Sequence, residues 1–323
     1  MSKLQEQSFS TLRDTSSDRS FAFVRLPGDK QVLSFGEGRI DGCSLLFDGF
    51  MASTWNSVPA AGMHVSVDST PEDVYLRQIE TIVASLRKRG GKTVICRQIC
   101  GTFRHFNPEK MAKEYFSLFP DMFCFFFYHP QTGYWMGASP ELLLKTDSHG
   151  IGHTRALAGT RRKGDKEPWS AKNIAEHQIV VEDICRRIGN TNKGYQALAH
   201  STGTLSYGTV EHMSTEIDVV RYGCPVSLPA IISAIHPTAA VCGFPKDAAL
   251  EEIGATELFQ RLFYGGTLVT PGTAYVALRC VHFDSSRWCV YTGSGITPDS
   301  EPAAEWDETK AKAEPLINIL KRY

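Results

Sequence analysis

The spacing of apolar residues predicts four long helices. From Pro71 to Arg89, apolar side chains recur every three or four residues, which is the period of one helix face. Thr70 is the expected N-cap of this helix, and Gly90 with Gly91 is expected to end it. The same pattern predicts helices over Ala171–Ile188, about Asp247–Phe263 and about Pro302–Leu320.

Short apolar runs between turn residues predict strands. The segment "YWMGASPELLLK" is expected to form two strands around Pro140, and Asp284-Ser285-Ser286 is expected to join "TAYVALRCVHF" and "RWCVYTGSGI" as a hairpin. No βαβ alternation and no GxGxxG motif occur, so the pattern favours an α+β fold with antiparallel sheets. Other predicted strands are Phe21–Leu26, Ser44–Phe47, Thr93–Ile99 and Met122–Tyr128.

The composition is typical of a soluble globular chain with a large core. The 323 residues are 42% hydrophobic and 21% charged, and the formal net charge is -1. Because there is no basic excess, binding to nucleic acid or to a membrane surface has no support. The longest apolar runs are too short to span a bilayer, and the N-terminus lacks the apolar stretch of a signal peptide.

The nine cysteines indicate a reducing compartment. Their number is odd, their spacing is scattered and no CxxC pair occurs, so we expect buried, reduced thiols in a cytoplasmic protein. No Cys/His spacing fits a zinc site. Residues 1–20 are expected to form a flexible lead-in. Residues 21–323 contain no repeat or Pro/Gly linker and are expected to form one domain.

The last predicted helix carries acids and lysines on one face. In "EWDETKAK", Glu305, Glu308 and Lys312 stand at positions i, i+3 and i+7, so they point the same way. The simplest interpretation is an exposed ion pair between Glu308 and Lys312. The alternative is one wall of a ligand site, because the helix follows "TGSGI", whose small residues allow a backbone to approach a ligand closely.

Four more charged residues are candidates for chemistry. Glu176 precedes an apolar run on a helix, where it could complement the helix dipole or share a Mg²⁺ site with Glu308. Arg279, in the apolar strand "YVALRCV", needs an anionic partner, either a structural carboxylate or a substrate. Taken alone, Lys92 is typical of a strand-edge lysine and Glu141 of a turn carboxylate.

These stretches together resemble the chorismate-utilising enzyme family. The family includes isochorismate synthases, salicylate synthases and the large chains of anthranilate and aminodeoxychorismate synthases. The resemblance implies one α+β chorismate-binding domain with two large stacked antiparallel sheets flanked by helices, the anthranilate synthase component I / aminodeoxychorismate synthase-like fold. The matching segments run from about residue 90 to the C-terminus: "GGKTVICR", "GASPELLLK", "ALAGTRRKGD", "KNIAEHQIVVEDI", "HPTAAVCGFPK", "LFYGGTLV", "YVALRC" and "YTGSGITPDSEPAAEWDETKAKAEPL".

The resemblance also implies residue roles. Lys92 stands at the position of the general base and Glu141 at that of the general acid. The substrate-binding positions match Gly159, Thr160, His212, Thr238, Tyr264, Arg279, Gly293, Gly295 and Lys312, of which Arg279 and Tyr264 face the enolpyruvyl carboxylate. The cofactor implied is Mg²⁺, with Glu176 and Glu308 as ligands and Glu305 supporting them through water.

Two departures place the chain among isochorismate synthases, which are isomerases. Anthranilate synthase large chains typically carry glutamine where this chain has Lys92, and they use ammonia. Salicylate synthases resemble "TASG" where this chain reads "AVCG", so Ala240 replaces their threonine. The expected function is isomerisation of chorismate to isochorismate, for menaquinone or siderophore biosynthesis, by a monomer. Salicylate synthase and an ammonia-using synthase are the alternatives.

Overall fold

The computed structural model describes residues 19–191 and 193–323. In this part of the chain there are six α-helices and eighteen β-strands. Of the lead-in expected over residues 1–20, residues 1–18 lie outside the described part of the chain. The helices are α1 (Glu72–Arg89), α2 (Pro108–Ser117), α3 (Ala171–Gly189), α4 (Leu228–Ile235), α5 (Lys246–Thr256) and α6 (Pro302–Leu320).

The strands form two antiparallel sheets. The first sheet has the order β14-β6-β18-β17-β8-β7-β1-β2, and the second has the order β11-β13-β10-β9-β16-β15-β5-β4-β3, with β12 also paired to β13. In chain order the strands are β1 (Phe21–Arg25), β2 (Leu33–Gly36), β3 (Arg39–Asp41), β4 (Ser44–Phe47), β5 (Phe50–Ser53), β6 (Lys92–Thr102), β7 (Phe123–His129), β8 (Gly133–Ser139), β9 (Leu142–Thr146), β10 (Gly152–Arg162), β11 (Tyr195–Ala199), β12 (Gly203–Tyr207), β13 (Val210–Arg221), β14 (Gly243–Phe244), β15 (Thr267–Thr270), β16 (Thr273–Val276), β17 (Cys280–Phe283) and β18 (Arg287–Ile296).

The two sheets stack face to face, as the resemblance implied. Strand β7 shows why, because it is apolar at almost every position and is buried on both sides. Phe123, Phe125 and Phe127 pack in the same cluster as residues of the second sheet such as Leu268. Phe126, on the opposite side of the strand, packs in a cluster with α2 and α6. The first sheet is therefore sandwiched between the second sheet and these two helices.

The remaining helices cover the outer faces. Helices α3 and α4 pack on the second sheet through apolar residues that include Val180, Ile184 and Ile231. Helix α1 packs beside α6, where Ile79 and Trp306 share a small core. None of the described helices combines the length and the apolar character needed to cross a bilayer. The α+β architecture with two large stacked sheets is confirmed.

The four predicted helices are present and differ from the prediction at their ends, whereas the shorter helices α2 and α4 were not predicted. Helix α1 has the predicted span and ends at Gly90, whose φ is 73°. Thr70 is not its N-cap, however, since Pro71 holds that position. The Thr70 hydroxyl instead accepts a hydrogen bond from the backbone N–H of Gln98 at 3.0 Å, which ties the segment before α1 to β6. The expected burial of the cysteines holds for Cys96, Cys124, Cys242, Cys280 and Cys289 but is wrong for Cys43 and Cys224, which are exposed.

Two predicted elements are interrupted in the structure. The helix expected over Asp247–Phe263 ends at Thr256. The next residue, Glu257, has an extended backbone and points inward, where it forms a buried ion pair with Arg261. The single strand expected in "TAYVALRCVHF" is split between the two sheets as β16 and β17. Arg279 lies in the link between them with a φ of 50°, a conformation that is uncommon for a residue other than glycine. The prediction that Arg279 is a strand residue is therefore wrong.

The Glu257–Arg261 ion pair fixes this interruption. Both side chains are 3% exposed, and two hydrogen bonds join the carboxylate to the guanidinium. Arg261 also donates to the carbonyl oxygens of Val94 and Val241, and Glu257 accepts from the backbone N–H of Cys96 at 2.8 Å. The pair therefore connects the segment after α5 to β6.

We expect Glu257→Ala to lower the free energy of unfolding by about 3–5 kcal/mol, because it leaves a buried guanidinium without its counter-ion. Urea denaturation of the purified variant measures the change. The matched control is Asp73→Ala, which removes an exposed ion pair with Arg77 and should cost less than about 1 kcal/mol. Equal losses in the two variants would contradict this role of the pair.

Candidate active site

A polar cavity lies where both sheets meet α3 and α6. It is bounded by the beginning of β6, the end of β18, the second half of β10 and the first residues of β13. The sequence-predicted residues that line it are Lys92, Glu141, Gly159, Thr160, Glu176, His212, Tyr264, Arg279, Gly293, Gly295 and Lys312. Of the other predicted residues, Thr238 contacts Glu141, and Glu305 and Glu308 line an adjoining cavity that shares Thr160.

Lys92 is a buried residue and not an edge lysine. Its side chain is 1% exposed, and strands β14 and β18 lie on the two sides of β6. The ammonium group lies 2.9 Å from Oε1 of Glu176 on α3. Gly295 provides the space, since a Cβ there would collide with both Glu176 and the end of Lys92. The small residues of "TGSGI" thus accommodate an ion pair as well as lining the cavity.

Glu141 is a carboxyl group that can hold a proton at neutral pH. It stands between β8 and β9, where Pro140 separates the two strands, and it is 3% exposed. Burial raises its pKa to about 7, against the opposing effects of the Thr238 hydroxyl, Lys92 and Lys312. The Thr238 hydroxyl donates to Oε1 of Glu141 at 3.2 Å and so fixes the direction of the carboxyl group.

His212 is neutral and links two other predicted residues. Its pKa lies well below the usual range, because of burial first and then the nearby charges of Arg279 and Lys312. Arg279 approaches Nε2 of the imidazole at 3.0 Å, and Thr160 approaches Nδ1 at 3.2 Å. An arginine can only donate, so Nε2 accepts from Arg279 and Nδ1 donates to the Thr160 hydroxyl. This tautomer is inferred from the hydrogen bonds.

A bulge in β10 places Thr160 opposite His212. The pairing of β10 with β13 shifts its register between Ala158 and Thr160, and the extra residue is Gly159 with a φ of 74°. A Cβ on Gly159 would also come within 3.0 Å of the Asn173 carbonyl oxygen on α3. The glycine at this position is therefore required by both the backbone conformation and the packing.

Arg279 is a half-buried cation that lacks a carboxylate partner in the described chain. Its guanidinium lies 4.7 Å from the ring centre of Tyr207 and contacts the neutral His212. One of its terminal nitrogens has no hydrogen-bond partner among residues 19–191 and 193–323. A structural ion pair, one of the two interpretations left open by the sequence, is thus not present there. The arrangement is suited to an anionic ligand in the cavity.

Tyr264 and Lys312 complete the walls. Tyr264 stacks on Tyr291 with ring centres 5.8 Å apart, and burial raises the pKa of its phenol well above the usual value. Lys312 donates to the carbonyl oxygen of Gly293 at 3.1 Å and pairs with Glu308 at 2.5 Å. The ion pair expected from the spacing of Glu308 and Lys312 is thus formed, but with both side chains only 15% exposed and at the edge of the cavity.

A chain of alternating charges extends from the cavity to α6. Glu176 binds Lys92 through Oε1 and Lys172 through Oε2, the latter at 3.2 Å. Lys172 in turn lies 2.9 Å from Oε1 of Glu305, which also accepts a hydrogen bond from the Ser300 hydroxyl. Lys172 and Lys92 hold the pKa of Glu176 well below the usual range in spite of its burial. Burial raises the pKa of Glu305.

The carboxylates of this chain fit a magnesium ion by their chemistry. Mg²⁺ prefers oxygen ligands and commonly takes one or two carboxylates with an anionic group of the substrate. Oxygen Oε2 of Glu305 is buried and has no hydrogen-bond partner in the described part of the chain. Within residues 19–191 and 193–323, however, no three His, Cys, Asp or Glu side chains form a group that could hold a metal. The ammonium of Lys172 stands between Glu176 and Glu305 instead.

Lys172 is the residue that the sequence analysis missed. It precedes Glu176 by one helical turn, a spacing that would have indicated contact between the two side chains. Its ion pair with Glu305 joins α3 to α6, which are more than a hundred residues apart in the sequence. No local sequence pattern could have indicated this contact. Asp307 and Lys310 of α6, by contrast, are surface residues, since both side chains are more than half exposed.

Comparison with known proteins assigns the family. A family model described as chorismate binding enzyme matches residues 57–318. Isochorismate synthase MenF of Pasteurella multocida is 33% identical over 207 residues, which are 58% of this chain and 47% of that protein. The salicylate biosynthesis isochorismate synthase of Pseudomonas aeruginosa is 30% identical over 280 residues, 82% of this chain and 58% of that protein. The chain thus spans about half the length of the curated relatives it matches.

A solved structure agrees with the fold. MenF, the menaquinone-specific isochorismate synthase from Escherichia coli, superimposes with a TM-score of 0.69 at 21% identity, covering 96% of this chain and 81% of that one. At this identity the likeness concerns the fold alone. The family match extends over most of the described residues and includes every residue that lines the cavity. The chain belongs to the chorismate binding enzyme family.

Proposed function

We propose that the chain is an isochorismate synthase, which isomerises chorismate by adding water at C2 and releasing the hydroxyl from C4. The observation that carries this proposal is one cavity with a buried lysine, a buried carboxyl group of pKa about 7 and a half-buried arginine without a carboxylate partner in the described chain. Incubation with chorismate and Mg²⁺, followed by product identification by NMR, tests it. Isochorismate is the expected product.

The reaction needs an acid and a base on the same ring. Water is a poor nucleophile, so a base must take its proton as the oxygen attacks C2. The ring double bond shifts, and the C4 hydroxyl leaves as water only if an acid protonates it. One water enters and one water leaves, so the product is an isomer of the substrate.

Lys92 is the proposed base. In its amine form it would accept a proton from the attacking water, and Glu176 at 2.9 Å would stabilise the ammonium that results. Glu141 is the proposed acid. Its pKa of about 7 leaves a substantial protonated fraction at neutral pH, and the Thr238 hydroxyl holds the carboxyl group in place.

The two carboxylates of chorismate need two positive subsites. The Arg279 guanidinium, with its unpartnered nitrogen, and the adjacent Tyr264 support a subsite for the enolpyruvyl carboxylate. A magnesium ion held by Glu176 and Glu308, with Glu305 behind them, would supply positive charge for the ring carboxylate. Lys312 and the backbone at Gly293 and Gly295 support the same region.

Ala240 favours release of isochorismate without further reaction. It lines the cavity, at the position where salicylate synthases are expected to have a threonine. A hydroxyl for the pyruvate elimination step is therefore missing there. Lys92, in place of glutamine, argues against an ammonia-using synthase. Salicylate with pyruvate, or anthranilate formed from ammonium, would be the products that overturn the proposal.

The use of the product is proposed from the relatives alone. One relative is named for menaquinone biosynthesis and another for salicylate biosynthesis, so isochorismate for menaquinone or a siderophore is the proposed role. The unpaired state of the cysteines supports the cytoplasm as the compartment. A monomeric enzyme stays a prediction.

We expect Lys92→Gln to lower kcat by at least about a hundredfold, since an amide cannot take the proton from water. Circular dichroism and the melting temperature should show that the fold is kept. The matched control is Lys88→Gln, four residues earlier on the exposed surface of α1, which should leave turnover unchanged. Substantial isochorismate production by Lys92→Gln would exclude Lys92 as the base.

We expect Glu141→Gln to be inactive and yet to gain stability at high pH. The folded pKa of Glu141 is about 7, raised from 4.5, so the native state binds the extra proton. In the wild type, the free energy of unfolding that this proton contributes is fully present below pH 4.5. It is lost as the pH rises from there through 7. Between pH 5 and pH 8, Glu141→Gln should gain roughly 2 kcal/mol over the wild type in urea unfolding.

The control for this experiment is Glu251→Gln, which changes an exposed carboxylate on α5. Its stability relative to the wild type should not vary over the same pH range. A pH-independent difference for Glu141→Gln as well would show that the Glu141 carboxyl group is already ionised at pH 5 in the folded protein.

We expect turnover to require a divalent cation. The ring carboxylate would otherwise face Glu176 and Glu308, and the lysines that contact these two carboxylates are already paired with them. Activity should disappear in excess EDTA and return when Mg²⁺ is added beyond the chelator. Unchanged turnover in EDTA would rule out the magnesium proposal and leave the assignments of Lys92 and Glu141 standing.

A further inference from the structure

Lys172 occupies the space between two buried carboxylates. Its ammonium group lies 3.2 Å from Oε2 of Glu176 on its own helix and 2.9 Å from Oε1 of Glu305 on α6. Glu176 and Glu305 are 6% and 3% exposed, whereas the Lys172 side chain is 18% exposed. The lysine therefore reaches from the rim of the adjoining cavity to a buried acidic pair.

The acidic pair needs a cation at this point. Without Lys172, two carboxylates taken out of water would face one another with only Lys92 and the Ser300 hydroxyl as partners. Leaving a buried carboxylate uncompensated is strongly destabilising. In addition, oxygen Oε2 of Glu305 is buried and has no partner among the described residues. The pair thus retains an oxygen that no side chain of the described chain satisfies.

The helix itself does not favour a lysine at this position. Lys172 is the second residue of α3, and the first turn of that helix contains no acid. A positive charge near a helix N-terminus is opposed by the helix dipole. The ammonium is held there by the two carboxylates, whose charges raise its pKa above the usual value in spite of burial. A cation of higher charge at the same point would neutralise both carboxylates, and the ammonium of Lys172 would then lose the attraction that holds it there.

We propose that Lys172 is a tethered counter-ion of the Glu176–Glu305 pair which a divalent cation displaces on binding. Lys172 then lowers the affinity of the site for the metal and keeps the acidic pair neutralised when no metal is bound. This inference rests on the proposed magnesium site. Its structural basis is the position of the ammonium between two of the three carboxylates assigned to that site.

The adjoining cavity gives the displaced side chain a place to go. Lys172 lines it together with Ser170, Glu301 and Asp307, so an ammonium that leaves the pair remains near other acids and water. The flexible four-carbon stem of lysine allows this movement without a change in α3. Displacement is therefore compatible with the rest of the fold.

The test is a titration of the chorismate-free protein with Mg²⁺, followed by calorimetry. Lys172→Met keeps an unbranched chain of nearly the length of the lysine stem and removes the charge, so it should bind Mg²⁺ at least about tenfold more tightly than the wild type. Its metal-free form should melt at a lower temperature and regain stability as Mg²⁺ is added. Affinity equal to or weaker than that of the wild type would overturn the proposal.

Two variants separate this effect from general charge. Lys163→Met removes an exposed lysine near the adjoining cavity and should leave Mg²⁺ affinity within about twofold of the wild type. Lys172→Arg keeps a positive charge at the same point and should not gain affinity. A tenfold gain in either variant would contradict a specific role for the Lys172 ammonium.

A measurement on the wild type keeps the inference testable if Lys172→Met does not fold. Lysine acetylation, quantified by mass spectrometry, should label Lys172 slowly in metal-free protein and several-fold faster at saturating Mg²⁺. Labelling of Lys163 should not change. Protection of Lys172 that persists at saturating Mg²⁺ would exclude displacement.

Failure of the proposed function gives a different result. If the wild type converts chorismate only with Mg²⁺ but Lys172→Met binds the metal no more tightly, the inference about Lys172 is wrong and the proposed function stands. If chorismate is not converted under any condition but Lys172→Met still gains Mg²⁺ affinity, the proposed function fails and the counter-ion role remains.

Discussion

The placement of buried charge at the junction of the two sheets governs the arrangement around the site. Lys92, Glu176, Lys172 and Glu305 form one chain of ion pairs in which every member is largely removed from water. A charge in such a place is tolerated only with a partner, so β6, α3 and α6 must meet at fixed distances. The requirement for Gly295 follows directly, because a side chain there would separate Lys92 from Glu176.

Two backbone irregularities occur at this junction. The bulge at Gly159 brings Thr160 opposite His212, and the link between β16 and β17 holds Arg279 in the left-handed region. Such conformations persist only when the surrounding packing enforces them, and they tend to occur at functional sites. Here they aim a hydroxyl, a neutral imidazole and a guanidinium at one cavity. At these two positions, irregular backbone and chemically capable residues coincide.

The electrostatics of the cavity divide its carboxylates into two kinds. Among the described residues no cation directly contacts Glu141, so burial keeps its pKa near 7 and the group can carry a proton. Glu176 has two lysines against its oxygens, so its pKa is low and it remains an anion. Residues of the same type thus receive opposite protonation states from their surroundings. A protonated Glu141 and an anionic Glu176 in one cavity are suited to an acid–base reaction on a dianionic substrate.

The sequence by itself determined four of the six described helices, about half of the described strands, the sheet class and, through the order of its motifs, the family. These features depend on local periodicity and on short segments whose spacing is visible in one dimension. The tertiary structure decided where α5 ends, how "TAYVALRCVHF" divides between the sheets and which partners the charged residues have. The Glu257–Arg261 pair interrupts a helical pattern, and the Lys172–Glu305 contact joins distant segments. Such contacts depend on burial and on long-range packing, which local patterns do not encode.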